Sequence, residues 1–286
     1  MADAALRIAG AEAAPRPAIE SRLLEGIRAG DTEIRIASSE AEIREAQRLR
    51  YRIFYKELTA RPNEQVAAEE RDFDRFDEYC DHLLVLDHST GAPVVVGTYR
   101  LLRRSVALRH GGFYTEGEYD ISRLMAVPGE IMEVGRACVA PDFRTRPTMQ
   151  LLWRGLATYS VAHGVKILFG CGSLPGTDPQ ALARPLSYLH HNHLAPELIR
   201  PRALPDRYVR TDILPAREVD ADAAVADLDA RAMLSALPPL IKGYLRMGGY
   251  IGDGAVIDHD FGTTDVCIIV VTDLMAQKYF KHYFDI

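Results

Sequence analysis

The chain has 286 residues, 48% hydrophobic and 26% charged, which is ample length for a buried core and the balance of a globular protein rather than a disordered or fibrous one. Its 34 Lys and Arg against 40 Asp and Glu leave a formal charge of −6, which excludes bulk attraction to nucleic acid but not a local basic patch. Cys80, Cys138, Cys171 and Cys267 form no CxxC pair, excluding a zinc ribbon and a dense disulfide scaffold.

Residues 1–30, rich in alanine, are expected to form a flexible tail or short peripheral helix, with one domain over 31–286. The opening residues lack the basic-then-apolar order of a signal peptide, and no stretch approaches ~20 uninterrupted apolar residues, so the expected address is cytoplasmic. Glu33–Ala37 alternates polar and apolar as a first strand does. Ser39 with Glu42 reads as a capping box, and Ile43, Ala46, Leu49, Ile53 and Phe54 carry helical spacing to about Leu58. Arg61–Cys80, highly charged and without period, reads as a loop. His82–Asp87 and Val94–Arg103 flank a turn-rich spacer and form an antiparallel hairpin. Glu130–Ala140 is a strand, Thr148–His163 a helix, and Val165–Gly170 a strand buried on both faces. A helix follows Pro179 to about His193, then an irregular stretch Arg200–Pro215 and an Ala- and Asp-rich segment 218–236 that suits an exposed helix. Pro238 and Pro239 open a helix ending at Gly248–Gly249. Tyr250–Asp258 and Asp265–Thr272 read as strands around the turn His259–Thr264.

This β-α-β-β-β-α-β-α order resembles the GNAT acyltransferase fold, an α/β architecture with a central mixed, mainly antiparallel sheet flanked by helices. A C-terminal elaboration would run from about residue 200. Arg50 and Phe54 in LRYRIFYKEL, Asp74 and Asp77 in DFDRFD, Arg100 in GTYRLL, and Glu133 with Arg136 in EVGR resemble the polar signature of acyl-homoserine lactone synthases. The Trp usually found a few residues after that Phe is absent, with Ala60 near its place. FGCGSLPG (169–176), LPPLIKGYLRMGG (237–249) and DHDFGTTDVCIIV (258–270) resemble ornithine N-acyltransferases instead. That resemblance implies transfer of a 3-hydroxyacyl chain from the 4'-phosphopantetheine of acyl carrier protein to the α-amine of L-ornithine. The product would be lyso-ornithine lipid, and no tightly bound cofactor is implied. The alternatives are an acyl-homoserine lactone synthase, the same N-acylation with glutamine or another amino acid, and a non-catalytic carrier-binding protein.

Amide formation from a thioester needs a base for the amine and stabilisation of a tetrahedral oxyanion. Glu133, inside an apolar strand, is the expected base, because burial raises a carboxyl toward usefulness; pairing with Arg136 is the structural alternative. Asp74 and Asp77 resemble the acidic pair that orders the acceptor end through Arg50 and Arg100, although capping is the ordinary use of such residues. Ornithine carries two ammonium groups and a carboxylate, so Arg136 or Arg100 is expected to pair the carboxylate. Asp253, Asp258 and Asp265 could face its side chain or cap loops.

Backbone N–H groups near Cys138, Val139 and Ala140, where the strand should splay, are expected to polarise the thioester carbonyl. Arg144-Thr145-Arg146-Pro147-Thr148-Met149 stands where most GNAT enzymes carry a glycine-rich pyrophosphate turn, and it lacks both glycines. Arg144, Arg146 and Thr148 would suffice for the single phosphodiester of a carrier-protein arm. Acidic carrier proteins want a basic face; the candidates are Arg103, Arg104 and Arg109, then Arg144, Arg146 and Arg154, then Arg200, Arg202, Arg207 and Arg210. His190, His191 and His193 lack metal-ligand spacing, so no metal is expected. Cys138 and Cys171 read as core thiols, and Tyr188 as a packing residue or an acid for the departing thiolate. LMAQKYFKHYF at the C-terminus suits either peripheral contact with a membrane surface or packing at the sheet edge.

Overall fold

The computed structural model describes residues 23, 25–216 and 237–274. Most of the expected tail, the expected helix 218–236, and LMAQKYFKHYF after Leu274 lie outside the described residues.

Strands β1 (Ile27–Ala29) and β2 (Thr32–Ile36) form a hairpin in which Ile27 faces Ile34, so the sheet begins inside the stretch expected to be a tail. Ser39, in extended conformation, accepts the Glu42 N–H and starts α1 (Glu40–Tyr51). The capping box is only half made, because the Glu42 carboxylate turns to Ser38 and Arg35 rather than back to the Ser39 N–H. The helix continues as a π-turn, Arg52–Glu57, and stops at Leu58 as its spacing predicts. The expected loop 61–80 holds two short helical turns, Glu64–Glu69 capped by Asn63 and Arg75–Glu78 capped by Asp74. Turns this short bury one or two residues each and leave no period to read.

Besides shorter helical turns, the other elements are β3 (Asp81–Asp87), β4 (Val94–Arg103), β5 (Tyr119–Asp120), β6 (Glu130–Val139), α2 (Arg146–Ala162), β7 (Val165–Pro175), α3 (Ala183–His193), β8 (Arg202–Ala203), α4 (Pro239–Arg246), β9 (Tyr250–Ile251), β10 (Val256–Asp258) and β11 (Thr263–Val271). The main sheet runs β1-β2-β3-β4-β6-β7-β11-β10, with β9 also on β11, while β5 and β8 pair separately. Of the main-sheet pairings only β6–β7 is parallel. The expected strand Tyr250–Asp258 is therefore broken in two, with the Gly252–Gly254 stretch between its halves. Leu151, Leu152 and Leu156 of α2 pack on Ile34, Leu83 and Met132 on one face of the sheet. On the other, Leu102, Ile131 and Phe169 meet Phe113 and Leu124. No described helix is long and apolar enough to cross a membrane.

The fold opens between β6 and β7. They pair only from Glu130 to Glu133 against Val165 to Phe169; beyond that β6 follows β4, and β7 follows β11. At the fork Gly170 lets the two backbones lie close, since a Cβ there would stand 2.2 Å from the Val134 carbonyl oxygen.

Candidate active site

A cavity of ≈300 Å³ lies at this opening, and six residues singled out from sequence line it: Phe54, Arg100, Glu133, Arg136, Asp258 and Asp265. A β-bulge brings two of them together. Strict alternation would send Glu133 and Arg136 to opposite faces. Opposite β4, however, Arg100 pairs with Gly135 and Thr98 with Cys138, so Tyr99 alone spans both Arg136 and Ala137. Arg136 takes a left-handed conformation (φ 51°), and the extra residue turns its guanidinium to the side of Glu133.

Behind the cavity wall, three arginines and three aspartates alternate in a closed ring. Arg50 meets Asp72 at 2.8 Å and Asp77 at 2.8 Å. Arg100 joins Asp77 (3.2 Å) to Asp74 (2.6 Å), and Arg136 closes the ring to Asp74 (3.4 Å) and Asp72 (3.6 Å). Burial alone would raise the Asp72 and Asp77 carboxyls; Arg136 and Arg50 overcome it at Asp72, and Arg50 and Arg100 at Asp77, so both lie below the ordinary carboxylate range. Asp74 and Asp77 also make the capping box of Arg75–Glu78, so the ordinary use and the ring coexist. Neither aspartate lines the cavity, nor does Arg50; they hold Arg100 and Arg136 in place. Arg136 makes the longest ion pairs of the ring, and its Nε has no hydrogen-bond partner among the described residues. It sits over Phe261 (4.8 Å) and Tyr114 (5.4 Å), which leaves it the arginine best placed to meet a guest.

Glu133 does not pair with Arg136. Its carboxylate accepts the Thr115 N–H (2.7 Å), the Thr115 hydroxyl (2.5 Å) and the Tyr114 N–H (3.0 Å). An ionised carboxylate has about four acceptor sites, so one remains. Burial pushes its pKa up against these donors. A desolvated carboxylate with a spare lone pair beside a cavity is suited to take a proton.

The cavity also carries an acidic cluster, with Asp258 and Asp265 in its wall. Carboxylate oxygens of Glu118, Asp258 and Asp265 lie within 4.8 Å of one another. Burial, reinforced by Glu118, raises Asp265 to about 7, and burial raises Glu118. A carboxyl so raised keeps its proton in the folded chain where the unfolded chain has released it. Ionising it therefore costs stability, nothing below about pH 4, increasingly up to pH 7, and constantly above. Asp265→Asn should accordingly be more stable than the native protein at pH 8 by on the order of a few kcal/mol, with the difference closing by pH 4. Urea unfolding across that range measures it; a difference independent of pH would exclude the raised carboxyl.

The expected donor residues lie elsewhere. The Ala140 N–H donates to the Val96 carbonyl (2.8 Å), and the strand segment lining the cavity is Val134–Ala137 instead of Cys138–Ala140. Cys138 packs against Leu49 and Leu84, its thiol pushed up to about 12 by burial. Arg144, expected to take a phosphodiester, is held bidentately by Glu57 (2.6 and 2.7 Å). Thr145 caps α2 by accepting the Thr148 N–H, and its hydroxyl meets that of Thr148, while Arg146 opens the helix. Asp253 accepts from Tyr208, His190 meets Thr211, His191 meets the Leu214 carbonyl, and Tyr188 packs in the core. The Cys171 thiol, raised by burial, donates to Glu118. Asp72, Tyr114, Thr115 and Glu118 were not singled out from sequence. Asp72 stood in the same DFDRFD run, whereas only the tertiary fold brings Tyr114 and Thr115 to Glu133 and Glu118 to Cys171.

An Acetyltransferase (GNAT) domain family model matches residues 49–154. Over 261 residues the chain is 45% identical to an L-ornithine N(alpha)-acyltransferase of Agrobacterium fabrum (strain C58), covering 90% of this chain and 86% of that one. It is 44% identical to a protein of the same name from Brucella abortus (strain 2308), covering 90% of each. A solved N-acyl amino acid synthase from uncultured soil microbes, FeeM, superposes with a TM-score of 0.46 at 10% identity, over 85% of this chain and 91% of that one.

Proposed function

The chain belongs to the L-ornithine N(alpha)-acyltransferase family, and on that premise we propose that it acylates the α-amine of L-ornithine with a 3-hydroxyacyl chain carried on the 4'-phosphopantetheine of acyl carrier protein. One observation carries the reading: a single cavity holds a buried carboxylate with a spare acceptor site, an incompletely partnered arginine, and an acidic cluster. Arg136 receives the substrate carboxylate, and Asp258 and Asp265, with Glu118 behind them, receive the side-chain ammonium. Glu133 takes the proton of the α-amine, which attacks the thioester carbonyl. The N–C bond forms, the C–S bond breaks, and the thiolate leaves as the thiol, with the proton returned from Glu133 directly or through water. Lyso-ornithine lipid is the product, no cofactor is needed, and the arginine clusters offer faces for the acidic carrier. The amphiphilic product favours a cytoplasmic enzyme working at the inner face of the membrane.

Purified protein given 3-hydroxyacyl carrier protein and ornithine should yield the ornithine amide by mass spectrometry, and no amide with glutamine. The reverse result replaces the acceptor, and a lactone formed from S-adenosylmethionine replaces the reaction. Asp265→Asn should raise the KM for ornithine about ten- to hundredfold, the worth of a hydrogen bond to a charged group. An unchanged KM would remove Asp265 from the acceptor site.

A further inference from the structure

A second, smaller cavity of ≈40 Å³ lies in the same opening and shares Val134–Ala137, Cys171 and Leu240 with the first. Its wall includes Tyr99 of β4 and Tyr244 of α4, whose hydroxyls meet at 3.0 Å, each residue 3% exposed. The neighbouring wall, Leu168 and Ile268, is apolar. Two phenols own two hydroxyl hydrogens, and their mutual bond uses one. Among the described residues the other has no acceptor, whereas a buried phenol ordinarily finds a partner. Burial raises the pKa of both, so both remain donors at neutral pH. Their geometry is fixed: Trp153 meets the Tyr244 ring edge-to-face at 4.9 Å, and Gly243 lets α4 lie against the indole, where a Cβ would come within 2.8 Å. A hydrogen-bonding pair, rigid and half satisfied, in an apolar wall is unused by the chemistry at Glu133.

We propose that Tyr99 and Tyr244 form a hydroxyl-reading subsite for the acyl chain, which selects donors carrying a hydroxyl near the thioester. The inference rests on the acyl-transfer reading above. A chain lying along Val134–Ala137, which both cavities share, borders the two phenols. A space of ≈40 Å³ exceeds what one hydroxyl needs. A hydroxyl there accepts the free O–H and donates to a phenol oxygen, whereas a methylene leaves the pair unsatisfied; sites built for a hydroxyl reject analogues lacking it for this reason.

The test compares 3-hydroxyacyl and unsubstituted acyl carrier proteins of equal chain length, with ornithine. The native enzyme should favour the hydroxylated donor by at least about tenfold in kcat/KM. Tyr244→Phe, and Tyr99→Phe with Tyr244→Phe, should cut that preference to below about threefold by lowering the hydroxylated donor's kcat/KM more than the other's. Equal use of both donors by the native enzyme, or equal losses for both in the variants, overturns the subsite. If Tyr99→Phe does not fold, Tyr244→Phe alone decides. The single tryptophan, Trp153, touches Tyr244, so its fluorescence also reports binding of free 3-hydroxy and unsubstituted fatty acids without any transfer. Hydroxyl-dependent binding without acyl transfer sinks the proposed reaction and keeps the subsite. Acyl transfer without hydroxyl dependence does the opposite.

Discussion

Glu133→Gln is expected to lower kcat by about 10²- to 10⁴-fold, the usual worth of a positioned base. The amide preserves the shape of the carboxylate but replaces one acceptor oxygen with a donor. Of the three groups that hold it, the Thr115 N–H, the Thr115 hydroxyl and the Tyr114 N–H, an N–H facing the new NH₂ loses its partner. The variant should therefore also lose about 1–3 kcal/mol of stability, so activity is compared on protein shown by circular dichroism to be folded. The native log(kcat/KM) should rise with pH through a value above the ordinary carboxyl range, because burial raises Glu133 and only the ionised form accepts a proton. In Glu133→Gln that limb should disappear. Near-native turnover across neutral pH, followed by thiol release, would assign the base elsewhere.

The second large effect is structural. Arg50→Met should destabilise the protein by about 3–5 kcal/mol, because removing one partner leaves buried charges uncompensated. Arg50 is fully buried, and both Asp72 and Asp77 lean on it. Their carboxyls are depressed in the folded chain, so the stability they contribute is complete above about pH 4 and is lost as pH falls through the depressed values. In Arg50→Met these carboxyls should rise, and acid unfolding should begin at higher pH. Urea midpoints at pH 7 and pH 4 measure both effects; a variant with native midpoints would show that the ring bears no strain of the fold.

The strands and long helices were legible because each repeats a hydrophobic period over many residues: α1, α2, β3, β4 and β6 all lie close to their expected bounds. The site was legible only in part. Glu133 stands out as a carboxyl inside an apolar strand and Asp258 and Asp265 as carboxyls flanking a turn, whereas Arg136, Arg100 and Phe54 were marked by their resemblance to the polar signature of acyl-homoserine lactone synthases. Their convergence depends on the bulge at Arg136, and a one-residue slip in a strand leaves no mark in composition. Thr115 and Glu118 sit in a stretch without period, and reach Glu133 and Cys171 respectively only because residues 104–125 fold over the sheet. The expected donor residues do not line the cavity, and Arg144 is held by a nearer anion, Glu57, of which a linear reading of the helix start gives no sign.

Alternating signs around the arginine–aspartate ring sum to zero, so it acts as an uncharged girder that stiffens the wall without giving it a sign. The polarity of the chamber is left to Glu133, Glu118, Asp258 and Asp265. A cationic guest would be drawn inward by that polarity, and an anionic one held off by it. Added salt weakens both the attraction of the one and the repulsion of the other while leaving the buried girder almost untouched.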